Sequence, residues 1–109
     1  RPFNRVYTMF EHDRHQDHRA VYQASIVACR GVRQILCYET PSSWPNFTPI
    51  LFEEIGTNLQ RKYEALLLHV SQNDRAYTQF DQIETSAKFR GQQVGINPCE
   101  GFMVYKFVL

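Results

Sequence analysis

The first 39 residues alternate between two strand-like runs and one helix-like run, and this order restricts the fold more than any other feature. Arg5–Phe10 is rich in β-branched and aromatic residues and predicts a strand. Asp17 is the predicted N-cap of a helix over His18–Arg30, which Gly31 ends. A second strand is predicted over Gln34–Glu39. Elements of these lengths form a βαβ unit, in which the strands are parallel and the crossover is right-handed.

The rest of the chain adds two strands and two helices to this pattern. An edge strand is predicted at Ile50–Ile55, a helix at Thr57–Val70 and a shorter helix at Asp81–Arg90. The last segment, Phe102–Leu109, is almost continuously apolar, which is typical of a strand in a sheet covered on both faces. We therefore expect a single α/β domain over residues 1–109, with a mostly parallel sheet between covering helices.

Composition limits the classes of partner. The chain has 109 residues, 43% of them hydrophobic, which is typical of one folded globular domain. Twelve basic and eleven acidic residues nearly cancel, so the chain lacks the excess of positive charge that marks nucleic-acid binding. No apolar run is long enough to cross a bilayer, and no signal-peptide pattern opens the chain. Three cysteines without paired spacing fit a reducing compartment. We therefore expect a cytoplasmic protein without nucleic-acid or membrane partners.

Three histidines and two aspartates lie within seven residues, in the run His12-Asp13-Arg14-His15-Gln16-Asp17-His18. The run follows the carboxyl end of the first predicted strand, where α/β proteins place ligand sites. His15 and His18 are three residues apart, and a catalytic zinc site takes about three protein ligands and one water. Asp17 could fix the tautomer of one of these histidines. The alternative is a solvated, polar entry to a helix.

This run also belongs to a longer resemblance. Asp13-Arg14-His15-Gln16-Asp17-His18-Arg19-Ala20 resembles the second conserved motif of the PIG-L or LmbE-like family of zinc-dependent N-deacetylases, usually written His-Pro-Asp-His. Tyr38-Glu39-Thr40-Pro41-Ser42 is similar to the family's Tyr-Glu-x-x-Ser strand end. Further matches follow in chain order: Lys62, Ala65, Leu66, Ser71 and Gln72 with its Lys-x-x-Ala-Leu…Ser-Gln helix, then Arg90–Gly95 and Glu100-Gly101-Phe102 with its closing pattern.

The resemblance implies a Rossmann-like three-layer fold and a zinc-dependent hydrolase that removes an acetyl group from an N-acetylglucosamine-type amide. His18 matches the family's third zinc ligand. His15 matches the histidine that stabilises the tetrahedral oxyanion and protonates the leaving amine, and Asp17 matches the carboxylate that orients it. Both roles are chemically consistent, because metal-bound water is a nucleophile near neutral pH and an imidazolium stabilises a developing oxyanion.

Four further residues are weaker candidates for binding an N-acetylated sugar or glycoside. Glu39, Ser42 and Glu100 follow or lie near strand ends and could line a sugar pocket. Arg19, at the start of the predicted helix, could contact substrate or pair with a neighbouring aspartate. Structural roles remain open for all four.

The chain also departs from the family pattern. Gln16 replaces the usual proline, and nothing matches the family's first motif, Ala-His-Pro-Asp-Asp-Glu, which supplies two zinc ligands and the general base. The zinc site is therefore incomplete, and we expect the isolated chain to be inactive. Three interpretations remain open. The chain is the C-terminal portion of a deacetylase that lacks an N-terminal segment, or a remnant that forms a homodimer through the edge of Arg5–Phe10. Alternatively, it is an interaction domain with solvated histidines.

Overall fold

A computed structural model describes residues 4–69 and 73–109 and contains the expected βαβ unit. The unit consists of β1 (Arg5–Met9), α1 (Gln16–Ala28) and β2 (Gln34–Tyr38). The two strands are parallel, with a register that runs from Arg5 opposite Gln34 to Met9 opposite Tyr38. The prediction of a parallel pair is therefore confirmed.

The start of α1 differs from the prediction. His15, not Asp17, is the N-cap residue, and its side chain accepts a hydrogen bond from the backbone N–H of Asp17. An imidazole nitrogen can accept this bond as a carboxylate does, although His is not among the usual N-cap residues. The helix consequently begins at Gln16, and Asp17 lies in its first turn, where a negative charge interacts favourably with the helix dipole.

The remaining elements are β3 (Leu51–Glu54), α2 (Asn58–His69), α3 (Asn73–Val94) and β4 (Cys99–Phe107). The strand order is β1-β2-β4-β3, and β4 runs antiparallel to β2. The sheet is thus mixed, and the expectation of a mostly parallel sheet is not confirmed. Hydrophobic periodicity does not distinguish the two directions, because a strand covered on both faces has the same apolar pattern in either one.

Helix α3 is much longer than the predicted segment Asp81–Arg90. The prediction took Gly91 as the end of the helix, but the helix continues through it to Val94. Gly95 has a φ of 75°, the left-handed conformation that commonly follows a helix end. Gly91 instead provides space: a Cβ there would lie 2.6 Å from the Cα of Asn97. The predicted Val70 and the matches at Ser71 and Gln72 lie outside the described residues.

The chain forms two compact units. One comprises the residues up to Leu51 together with Gly101–Leu109, and the other comprises Phe52–Glu100. In the first unit, the buried side chains include Phe10, Tyr22, Ile35, Leu36, Cys37, Phe47 and Phe102. Buried Thr8 joins β1 to α1 through a hydrogen bond from its Oγ1 to the Oγ of Ser25, 3.1 Å away. Within the described residues, no helix has the length and apolar character needed to cross a membrane.

Candidate active site at the carboxyl ends of β1 and β2

Two loops that follow the parallel strands lie side by side and carry the candidate residues. Beyond β1, the backbone N–H of Phe10 still donates to Tyr38 O at 3.1 Å. The N–H of Arg14 then donates to Ser42 O at 2.9 Å, and that of Trp44 donates to His12 O at 2.8 Å. The parallel register brings the two strand ends together, so residues about 30 positions apart in sequence become neighbours at one edge of the sheet.

Asp13 is the centre of this arrangement, and its carboxylate is fully buried. Oδ1 accepts hydrogen bonds from the backbone N–H of His15 at 2.9 Å and from Ser42 Oγ at 2.5 Å. Oδ2 accepts from Thr40 Oγ1 at 2.6 Å and bonds His18 Nδ1 at 3.0 Å. These four bonds satisfy a group whose burial would otherwise be costly.

The electrostatics of the cluster keep Asp13 ionised. Burial by itself raises the pKa of this carboxyl, but the hydrogen bonds from Ser42, Thr40, His15 and His18 lower it by more. The net effect holds the pKa of Asp13 well below its usual range. Because an ionised carboxylate only accepts hydrogen bonds, the Nδ1 of His18 must be the donor in the bond between them.

The imidazole rings of His15 and His18 stack against each other. Their centroids are 4.6 Å apart and their planes are inclined by 17°. Since Nδ1 of His18 donates to Asp13, the neutral His18 ring carries its proton there and has a lone pair at Nε2. Since Nδ1 of His15 accepts from the Asp17 N–H, the neutral His15 ring carries its proton at Nε2. The hydrogen-bond network thus assigns opposite tautomers to two adjacent imidazoles.

The other predicted site residues take varied positions. Asp17 contacts His15 through its backbone N–H, and its own side chain is exposed. Ser42 donates to Asp13, as described above, and Arg19 donates from Nη1 to the backbone oxygen of Asp13 at 2.7 Å. The two glutamates are the remaining candidates. Glu39 directly follows β2 and is half-buried, whereas Glu100 lies in the other unit and is ion-paired with Lys62 Nζ.

A cavity of about 400 Å³ opens beside Asp13, and we call it the Trp44 pocket. Residues on the loop after β1, residues on the loop after β2 and one residue of α1 line it: Glu11, His12, Asp13, Trp44, Pro45, Asn46 and Arg19. His12 lies at the rim of this pocket. Its ring is largely exposed, but Nδ1 lies 2.8 Å from Asn46 Nδ2 and the ring packs edge-on against Phe10.

The described residues do not make a complete zinc site. Among them, no group of three or more His, Cys, Asp or Glu side chains is arranged to hold a metal ion. The carboxylate of Asp13 already accepts four hydrogen bonds. The imidazole nitrogens are therefore the atoms of the cluster that remain to coordinate a metal ion. His18, with its Nε2 lone pair and its Nδ1 held by a carboxylate, has the arrangement usual for a single metal-ligating histidine.

Sequence reasoning did not recognise the importance of Asp13 and Thr40. It predicted only that a neighbouring aspartate could pair with the Arg19 side chain, and it gave Thr40 no role. Asp13 instead joins His18 to the loop after β2, and Thr40 donates the second hydroxyl. One signal was available: a hydroxyl residue and a carboxylate, each just after one of two parallel strands, are expected to meet at the same sheet edge.

Comparisons with known proteins agree with the fold and give one link to an activity. No family model matches the chain. Over 51 residues it is 67% identical to an Escherichia coli K12 protein described as the uncharacterized deacetylase YaiS, a stretch that covers 47% of this chain and 28% of that protein. The fold is similar to the crystal structure of the conserved protein TT1542 from Thermus thermophilus, with a TM-score of 0.83, 21% identity and coverage of 97% of this chain and 53% of that one. The chain therefore spans about half of the solved relative and less than a third of the curated one, and the likeness to TT1542 shows the fold alone.

Proposed function

We propose that this chain is part of a cytoplasmic, zinc-dependent hydrolase of the LmbE-like type that removes the acetyl group from an N-acetylglucosamine-type amide. The relative that is 67% identical over 51 residues is described as a deacetylase, and this description supports the reaction class. The three free cysteines support a reducing compartment. The zinc and the sugar are inferred from the chemistry of the site and from the resemblance of its motifs.

The opposite tautomers of His15 and His18 are the observation that carries the proposal. Hydrolysis of an amide at a metal needs a lone pair to hold the cation and a nearby N–H to stabilise the oxyanion. The bond to Asp13 leaves a lone pair on His18 for the cation, and the bond to Asp17 leaves an N–H on His15 for the oxyanion. The two rings stack with their centroids 4.6 Å apart.

Each residue then has a distinct part. Nε2 of His18 is the proposed zinc ligand, and the buried carboxylate of Asp13 orients that ring. Nε2–H of His15 donates to the oxyanion that develops on the acetyl carbonyl and, when the ring is protonated, gives a proton to the leaving amine. Asp17 orients His15 through its backbone N–H. Zinc, when bound, supplies Lewis-acid activation of water.

The proposed site requires donors that the described residues do not supply. A general base and about two more ligands are needed for a catalytic zinc site. We therefore expect the 109-residue chain alone to bind zinc weakly through His18 and to hydrolyse no N-acetyl sugar. Arg19, Glu39, Ser42 and Glu100 remain proposed sugar contacts, although each of them already interacts with a partner within the chain.

Histidine NMR tests the tautomers directly. Long-range ¹H–¹⁵N spectra should show the Nδ1–H form for His18 and the Nε2–H form for His15. Added zinc should shift the Nε2 signal of His18, and His18→Ala should abolish zinc binding measured by competition with a chromogenic chelator. His12→Ala, which removes a neighbouring exposed imidazole, is the matched control and should leave zinc binding unchanged. Equal tautomers, or zinc binding that survives His18→Ala, would contradict the proposal.

An amine-release assay tests the reaction. The chain joined to whatever coding sequence precedes it in its gene should release acetate and free amine from N-acetylglucosamine derivatives, and His15→Ala should lower kcat far more than KM. If that longer product binds zinc but leaves N-acetyl sugars intact, the assigned substrate is wrong.

A second candidate function is a non-catalytic, dimerising domain, and the position of β1 favours it. Among the described strands, β1 pairs with β2 and lies at the edge of the sheet. An open strand edge presents unpaired backbone groups that can pair with a second copy. Sedimentation velocity at several concentrations tests this candidate: a monomer throughout would exclude it.

A further inference from the structure

We propose that the Trp44 pocket binds an uncharged sugar ring, which stacks on the indole of Trp44 and forms a subsite separate from the His15–His18 pair. The identification of the ring as part of an N-acetylated glycoside rests on the proposed function, whereas the pocket itself does not. Its volume of about 400 Å³ falls within the range of about 300–1,000 Å³ typical of small-molecule sites.

The aromatic wall is the first argument. Trp44 is 51% exposed, although it is the largest side chain of the loop after β2. Its backbone is nevertheless fixed, because its N–H donates to His12 O at 2.8 Å and its carbonyl accepts from Phe47 N at 3.1 Å. A half-exposed indole on a fixed backbone is suited to an apolar ring surface, and the C–H face of a pyranose provides one.

The polar groups around the indole are the second argument. Asn46 and His12 lie 2.8 Å apart on opposite loops and can donate to or accept from hydroxyl groups. Arg19 donates from Nη1 to Asp13 O, and a guanidinium has five N–H groups, so donors remain for a ligand. Such a combination of one apolar wall and several convergent donors and acceptors matches a polyol.

Charge distinguishes a neutral sugar from an anionic ligand. The side chains of Glu11 and Arg19 bring one negative and one positive charge to the lining, while the carboxylate of Asp13 is engaged by Ser42, Thr40 and His18. The pocket therefore lacks the excess of positive charge that a phosphate or carboxylate ligand requires. An uncharged ring is the ligand that this balance favours.

Trp44 is the only tryptophan of the chain, so its fluorescence reports on this pocket alone. We would titrate the zinc-free 109-residue chain with di-N-acetylchitobiose, cellobiose and inorganic phosphate. A saturable fluorescence change with at least one disaccharide and none with phosphate is expected. Absence of a saturable change with either sugar would overturn the proposal, and so would saturable binding of phosphate, which would assign an anion site. Because zinc and hydrolysis play no part in this measurement, its outcome is independent of the deacetylase assay.

Variants locate the binding. Calorimetry should show that Trp44→Ala and Asn46→Ala each weaken disaccharide binding by about tenfold or more, as expected when a central contact is removed. Trp44→Phe keeps an aromatic face and should retain most of the affinity, which separates stacking from a folding defect; circular dichroism monitors the fold of every variant. Phe89→Ala removes an aromatic ring that is 52% exposed on α3 and is the matched control, with unchanged affinity. Equal affinities of the Trp44→Ala variant and the unmodified chain would refute the assigned subsite.

Discussion

Replacing Asp13 by asparagine changes one oxygen to an amide nitrogen and keeps the size of the side chain. The backbone N–H of His15 can only donate a hydrogen bond. The side-chain oxygen that remains should therefore face this N–H and accept from it. The new NH₂ group would then face Thr40 and His18. The hydroxyl of Thr40 can rotate and accept, but the Nδ1–H of His18 meets another donor. We therefore expect His18 to move its proton to Nε2.

The expected loss of stability follows from the four hydrogen bonds. Hydrogen bonds to a charged group contribute about 1.5–3 kcal/mol each, and neutral bonds contribute about half of that. In the Asp13→Asn variant all four bonds become neutral, and the two to Thr40 and His18 reverse their direction, because the new NH₂ group donates to both. Relief of the desolvation penalty of the buried charge offsets part of this loss. We expect the free energy of unfolding to fall by about 2–4 kcal/mol.

Urea denaturation followed by circular dichroism measures this change, and the histidine NMR spectrum reports the tautomer. Asp17→Asn is the matched control: its side chain is exposed in the first turn of α1, so a loss below about 1 kcal/mol is expected. Two results would refute the reasoning about Asp13. One is a free energy of unfolding within about 0.5 kcal/mol of the unmodified chain; the other is a His18 ring that keeps its proton on Nδ1 in the Asp13→Asn variant.

Two further predictions concern packing and thiol chemistry. Gly91→Ala places a methyl group 2.6 Å from the backbone at residues 96–97, so thermal unfolding should show a loss of about 1–3 kcal/mol in stability. Gly31 has open space around it, and Gly31→Ala is the control that should be neutral or slightly stabilising. Burial raises the pKa of the Cys37 thiol to about 11, so at pH 8 a thiol reagent should modify half-buried Cys29 first and Cys37 only on unfolding. The Cys37 thiol ionises near pH 9 in the unfolded chain and only near pH 11 in the folded one. The stability linked to this thiol should therefore be complete below pH 9 and fall as the pH rises from 9 towards 11. Equal modification rates for Cys29 and Cys37 would contradict the assignment.

Local sequence patterns predicted the elements well where the deciding interactions are local. The strands β1 and β2 and the helices α1 and α2 lie within a few residues of the predicted segments, because hydrophobic periodicity and capping residues act over one or two turns. The errors arose where a local signal had two meanings. Gly91 resembled a helix end, but it serves a close approach to Asn97, while Gly95 has the left-handed φ that ends α3.

Sheet direction depended on information that periodicity does not contain. The connection through α1 requires β1 and β2 to be parallel, because a helix of this length returns the chain to the same end of the sheet. The prediction for the last strand rested on its apolar composition, which is the same for both directions. The antiparallel pairing of β4 with β2 became apparent from the tertiary structure.

Local sequence patterns were enough to predict that His15 and His18 follow the first strand and lie three positions apart at a helix start, since strand and helix positions depend on neighbouring residues. The proton of His15 is placed by the local N–H of Asp17, whereas tertiary contacts keep Asp13 ionised, and so place the proton of His18, and determine where the pocket opens. Those tertiary contacts depend on Thr40, Ser42 and Trp44, which lie far along the chain and reach Asp13 and His12 through the parallel register of β1 and β2. The chemistry of His18 is therefore set by contacts between loops, and these form only when the two strands are paired.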